Sequence, residues 1–211
     1  MKWFDDIRKY YLYRGLIKRY VVPILSIYLL DQGLTLEQIG ITIAVATGIQ
    51  LVFEVPSGTL ADLIGHKRSI ALGCLGQGVS MLLYIVLDGF VGMMIATVTY
   101  WVTSTLMTGT HDAILYELLE RRGEAQKYKT YYGRAFAFAN ILSAALLATS
   151  AFVYVWNPTV PFLIGIAQFV FAAWLISSLS DVPETHSVKK EEGYAGFLKS
   201  FRQNRSAYSL K

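Results

Sequence analysis

The chain has 211 residues, 54% of them hydrophobic, 14% aromatic and only 16% charged, with a formal net charge of +4. That is more apolar than a soluble domain and makes an integral membrane protein the leading class; the basic excess then belongs to a membrane surface and not to nucleic acid. The single cysteine, Cys74, excludes an internal disulfide, and His66, His111 and His186 lie too far apart for metal-ligand spacing, so no metal or cofactor is implied.

Residues 1–11 are charged and aromatic and read as a cytoplasmic tail or interfacial lead-in, without the short apolar run and small-residue cleavage site of a secretory signal. The first predicted span covers 12–30; Arg14, Lys18 and Arg19 weigh on its first half and would snorkel to the headgroups. Asp31-Gln32-Gly33 breaks the run. Thr35 and Gln38 then have the spacing of a capping box that opens the second span, 36–57. Gly40, Ala44 and Gly48 recur at every fourth residue there and give a smooth face for close helix packing.

The third span covers 69–87, and Asp88-Gly89 turns the chain into the fourth, 90–110, which runs on into a charged connection at 111–129. The fifth covers 131–154 and stops before Asn157-Pro158; the sixth covers 159–179. Each is close to the roughly 20 residues that a bilayer core requires. Beyond 180 the composition changes. A polar stretch is followed by Tyr194, Phe197, Leu198 and Phe201 at helical spacing among Lys199, Arg202 and Arg205, the pattern of a basic amphipathic helix on a membrane surface.

The nineteen Lys and Arg residues fix the expected topology: six at or before Arg19, Lys67 and Arg68, five from Arg121 to Arg134, and six from Lys189 onward. The connections near 31–38, 88–90 and 156–159 contain none. By the positive-inside rule both termini face the cytoplasm, as an even number of spans also demands.

The most informative connection is 58–68, GTLADLIGHKR. Its composition reads as a tight loop on the basic side: Gly58 allows close approach, Asp62 accepts backbone N–H groups or pairs with a cation, Gly65 permits a turn, and His66, Lys67 and Arg68 reach the headgroups. The stretch resembles the signature loop of the major facilitator superfamily, which runs Gly, three residues, Asp, a basic residue, any residue, Gly and two basic residues. Gly58, Asp62, Gly65 and Lys67 match; Leu63 and His66 depart from it, and Arg68 supplies the charge one position later. Glu54-Val55-Pro56-Ser57 and residues 112–117 are similar to bacterial members.

The resemblance implies the N-terminal six-helix half of a secondary transporter that works by alternating access. It implies a conformational switch at Gly58, Asp62, Gly65, Lys67 and Arg68, in which Asp62 pairs with cations of its own loop and of nearby helices. Helix capping by Asp62 is the plainer alternative. Glu54, Asp112, Glu117 and Arg134 are candidates to extend the charge network. Glu54 reads as a proton carrier or as an interfacial carboxylate, and Glu117 with Arg121 also forms a routine i,i+4 pair.

Thr97, Trp101, Ser104 and Thr108 fall on one face of the fourth span with Tyr100 beside them. With Tyr28, and with Gln50 and Asn140 as buried amides, they are candidates to line a substrate cavity, or to bond helix to helix. The fourth span lacks the Arg of many proton-coupled exporters, and the fifth lacks the Gly-Pro of drug–proton antiporters. No catalytic triad or nucleotide loop is present, so an enzyme is not expected.

The expectation is therefore an all-α membrane protein: a tail at 1–11, a six-helix transmembrane bundle at 12–180 and a cytoplasmic basic tail or linker at 181–211. Its function would be transport of a small molecule, with export of amphipathic compounds the first guess. A non-transporting membrane scaffold is the alternative. Partners would be the bilayer of the plasma membrane, the substrate, and a second six-helix half supplied by a C-terminal continuation, a separate chain or a homodimer.

Overall fold

Apolar stretches punctuated by glycines, prolines and acid–glycine pairs fold into eight α-helices in this computed structural model, which describes residues 2–17 and 20–180. They are α1 (Lys2–Leu16), α2 (Val22–Asp31), α3 (Leu36–Ile64), α4 (His66–Val86), α5 (Gly89–Thr105), α6 (Thr110–Glu120), α7 (Tyr128–Trp156) and α8 (Val160–Ser177). A 3₁₀ turn, Ala125–Lys127, leads into α7, and the described residues contain no strand. The tail at 181–211, with its expected amphipathic helix, lies outside the described residues.

Local chemistry sets the joints. The capping box forms: Gln38 N–H donates to Thr35 Oγ1 at 3.2 Å and Thr35 N–H to Gln38 Oε1 at 3.0 Å. Gly65 ends α3 and opens α4 with φ +89°, a conformation that a side chain would strain. Pro161 sits in the first turn of α8, where its missing N–H costs no helical bond.

Three boundaries differ from those expected. The first span is not one helix but α1, ending at Leu16, and α2, which begins at Val22 beside Pro23, a residue that cannot donate to a helix ladder. Ten residues of α2 rise only about 15 Å, half of a bilayer core. The second span runs on through Pro56 to Ile64, so Gly58 and Asp62 lie in a helix and not in a loop. The fourth stops at Thr105, turns at Gly109 (φ +75°) and resumes as α6.

Among the described residues five helical stretches, Leu36–Ile64, His66–Val86, Gly89–Glu120, Ala125–Trp156 and Val160–Ser177, are long and apolar enough to cross a membrane. Together with the split first span they make the all-α membrane bundle that the sequence led us to expect. α4 is the hub, packed most extensively on α8 and α5; α3 leans on α5, and α7 on α1. Lipid offers little hydrophobic drive between helices, so interhelical polar bonds count, at about 0.6–2 kcal/mol each. Ser69 Oγ donates to Leu106 O at 2.7 Å, Ser80 Oγ to Ala96 O at 2.8 Å, and Tyr28 OH to Tyr84 O at 2.5 Å. One apolar cluster, around Tyr10, Tyr13, Ile70, Leu115 and Ile176, lies toward the end that carries the basic connections. A second, around Ile24, Tyr28, Tyr84, Met93 and Phe162, lies toward the other end.

Candidate functional site

The Gly65 turn leaves Asp62, on the last turn of α3, next to His66, the first residue of α4: Asp62 Oδ1 lies 3.6 Å from His66 Nε2. From across the basic end, α6 brings Glu117, whose Oε1 lies 2.7 Å from His66 Nδ1. One imidazole thus has a carboxylate at each ring nitrogen and touches three helices. The Glu117 contact is the more sheltered, its side chain being 23% exposed against 59% for Asp62.

Lys67 and Arg68 were expected as the local partners of Asp62. Lys67 Nζ donates to Leu179 O at 2.6 Å, just beyond α8, and Arg68 is exposed. Lys9 Nζ joins Lys67 by donating to Ser178 O at 3.1 Å. Two ammonium groups therefore sit on the carbonyl end of α8, where the helix dipole favours cations.

The central place of His66 was not drawn from the sequence, although its spacing of four from Asp62 was there to read; Glu117 was expected as a candidate to extend the Asp62 network, but not as a partner of His66. The two-lysine grip on α8 carried no sequence signal at all. The same holds for His111. Its Nδ1 lies 2.7 Å from the Tyr13 hydroxyl, and its backbone carbonyl accepts from Tyr10 OH at 3.1 Å. Burial pushes the Tyr10 hydroxyl well above its ordinary pKa, so it remains a neutral donor.

The other network candidates stand apart from this hub. Glu54 is exposed two turns earlier on α3, Asp112 is exposed in the first turn of α6, and Arg134 is exposed on α7. At the start of α7, Glu124 accepts from Lys127 Nζ at 2.8 Å and from Tyr131 OH at 2.9 Å, and these bonds hold its carboxyl below the ordinary range.

The cavity candidates divide in a similar way. Tyr28, Thr97 and Tyr100 are buried, Gln50, Trp101 and Ser104 are half-buried, and Thr108 and Asn140 are exposed. The expectation of two buried amides therefore fails: Asn140 faces out of the bundle and Gln50 only partly in. The α5 hydroxyls return to their own helix, Thr97 to Met93 O at 2.8 Å and Ser104 to Trp101 O at 2.7 Å. Thr97 is also joined by Tyr84 OH at 2.8 Å, a bond between helices. Tyr100 and Trp101 help line an apolar crevice with Tyr20, Met81, Tyr84 and Phe169. Its free space is about 50 Å³, far below the several hundred Å³ of drug-sized ligand sites.

Multiple apolar spans and a charged turn between the second and third define a multi-pass integral membrane protein. The model of the Major Facilitator Superfamily matches residues 11–209, and the chain belongs to that superfamily. It is similar to the uncharacterized MFS-type transporter YxaM of Bacillus subtilis (strain 168), 26% identical over 170 residues, which are 81% of this chain and 42% of that protein. It is also similar to the quinolone resistance protein NorA of Staphylococcus aureus, 35% identical over 78 residues, 37% of this chain and 20% of that protein. The chain thus spans less than half the length of these relatives.

Proposed function

We propose that this chain forms the N-terminal half of an alternating-access secondary transporter and that it works only against a second six-helix half. The observation that carries this reading is the uncovered state of α3 and α7. In their most apolar stretches only 17% of residues are buried, against 50% in α4 and in α8. The open side of α3 is not purely lipid-like: it mixes Leu51, Val52 and Phe53 with Gly40, Thr47, Gly48 and Glu54. Small and polar residues at an intramembrane surface favour another helix over lipid. The small crevice fits the same picture, as one wall of a cavity that needs a second.

In this reading both termini and the 58–68 turn face the cytoplasm of a plasma membrane, and Asp62 biases the orientation of the two halves. The likeness to a quinolone resistance protein supports amphipathic small molecules as cargo and export as the direction. Tyr28, Tyr100 and Trp101 are the side chains we assign to the cavity wall.

The test is flux. Purified chain is reconstituted at high lipid-to-protein ratio, with copies per vesicle counted by single-molecule bleaching. Vesicles with one copy are expected to show no saturable flux of a fluorescent amphipathic cation, and vesicles that also hold a complementary second half are expected to gain it. Saturable flux from single copies overturns the reading.

A further inference from the structure

A second group of charges stands at the junction of α1, α6 and α7, apart from the contacts of His66. On α1, Tyr10 and Arg14 are four residues apart and share a face. Tyr10 OH donates to His111 O at 3.1 Å, which sets that face against the first turn of α6, where Asp112 stands. The guanidinium of Arg14 and the carboxylate of Asp112 both lie within electrostatic reach of the hydroxyls of Tyr10 and Tyr128. Yet among the described residues neither makes an ion pair or a side-chain hydrogen bond. Other charges nearby are engaged: Glu124 is held by Lys127 and Tyr131, and Lys9 sits on the α8 carbonyl end. Arg14 is half-buried, so leaving its charge unanswered is costly.

A file of rings runs beside the two charges. Tyr116, four residues after Asp112 on α6, meets Tyr128 of α7 with ring centroids 6.2 Å apart. Tyr132 follows at 5.8 Å and Phe136 at 6.4 Å, nearly parallel at 27° and 15°, because a spacing of four keeps them on one side of α7. Tyr116 and Phe136 are exposed, and Tyr128 and Tyr132 are half-buried. Among the described residues the hydroxyls of Tyr116, Tyr128 and Tyr132 make no hydrogen bond, so three donors stand uncommitted. Aromatic rings alone would suit any membrane interface. An unspent cation and an unspent anion beside them suit a ligand that carries both charges.

We propose that this junction binds a planar aromatic zwitterion, its carboxylate on Arg14, its ammonium on Asp112 and its ring against the tyrosine file. The guanidinium fork matches a carboxylate, and the phenol hydroxyls add neutral donors to it. Tyrosine faces attract both a flat ring and an ammonium group. A ligand with one charge answers one side chain and is repelled by the other. The role in transport, a site where cargo is met at the basic end before it reaches the Tyr100–Trp101 wall, rests on the alternating-access reading; the binding itself does not.

The full chain in phosphatidylcholine nanodiscs is titrated with an aminomethylnaphthoate, a fused-ring zwitterion, and binding is followed by ligand-observed NMR. A dissociation constant of about 0.1–1 mM is expected for a ligand of this size. Methylnaphthoate, naphthylmethylamine and the saturated bicyclic amino acid should each bind at least about fivefold more weakly. Arg14→Gln should weaken the zwitterion about tenfold and tighten naphthylmethylamine. Asp112→Asn should weaken the zwitterion and tighten methylnaphthoate. Such opposite shifts cannot come from a loss of fold. If Arg14→Gln lowers the unfolding midpoint, Arg14→Lys, expected to keep most of the affinity, and Asp112→Asn decide the matter. Equal affinity for the single-charge probes, or indifference of the zwitterion to both substitutions, overturns the proposal. So does binding that vanishes when phosphatidylethanolamine replaces phosphatidylcholine, since a lipid headgroup then owns the junction. None of these readouts needs flux, so the site and the transport reading fail independently.

Discussion

α3 and α4 are neighbours in sequence, joined by the single residue Gly65, and their most apolar stretches have the same mean hydropathy, 1.7. Both are rich in glycine. Yet half of that stretch is buried in α4 and about one-sixth, 17%, in α3. The glycines record the difference. A Cβ added at Gly73 would come within 2.5 Å of Met107 Cγ and 3.1 Å of Thr103 O, so α4 and α5 approach because that side chain is missing. At Gly40, Gly48 and Gly58 of α3 a Cβ would meet nothing within 4 Å. Hydropathy states that a helix belongs in a membrane; it does not state what covers it. Small residues mark a close approach: on α3 the buried Ala46 faces a neighbour, but among the described residues no helix approaches Gly40, Gly48 or Gly58.

Substitutions can break or sharpen this contrast. Gly48→Trp should have the largest effect, and only in a completed transporter. Overpacking a close helix contact costs about 1–3 kcal/mol, enough to lower flux about ten- to a hundredfold, while thermal unfolding of the 211-residue chain stays within a degree or two of wild type. Marked destabilisation of the isolated chain by Gly48→Trp would mean that α3 is covered from within, and the contrast would fail. Next comes Gly73→Leu, which should cost the isolated chain about 1–3 kcal/mol as Met107 and the Thr103 carbonyl are forced apart, read as a lower unfolding midpoint in detergent. The smallest effect is expected from a matched pair of polar truncations. Ser80→Ala removes the donor to Ala96 O in α5 and should cost about 0.6–2 kcal/mol, whereas Thr47→Ala on the open face of α3 should cost the isolated chain nothing measurable by the same assay.

Much of the fold was legible for simple reasons. Apolar runs of about 20 residues have few alternatives to a membrane helix. The Thr35 box and the turns at Asp88-Gly89 and Asn157-Pro158 are local chemistry that tertiary packing did not override. What escaped were features decided by packing. An apolar helix shows no sequence contrast between its covered and uncovered sides, so Gln50 and Asn140 were assigned inward when one is only half-buried and the other exposed. The residues 58–64 look like a loop because glycine and charge are loop-like in composition, but the α3 ladder continues through them to Gly65. His66 reads as a weak substitute for a basic residue until α6 is folded beside it; the Glu117 contact spans 51 positions in sequence and leaves no periodic trace.

The two lysines on the end of α8 have a mechanical meaning. Lys9 and Lys67 grip consecutive carbonyls, those of Ser178 and Leu179, so the chain leaves the described bundle from a point riveted to both α1 and α4. A tug transmitted along the backbone at residue 180 is therefore shared among three helices before the last turn of α8 can unravel. Lys67 is also the immediate neighbour of His66. The rivet and the α3–α4 corner occupy adjacent residues, and a load applied at one is felt at the other through a single peptide bond.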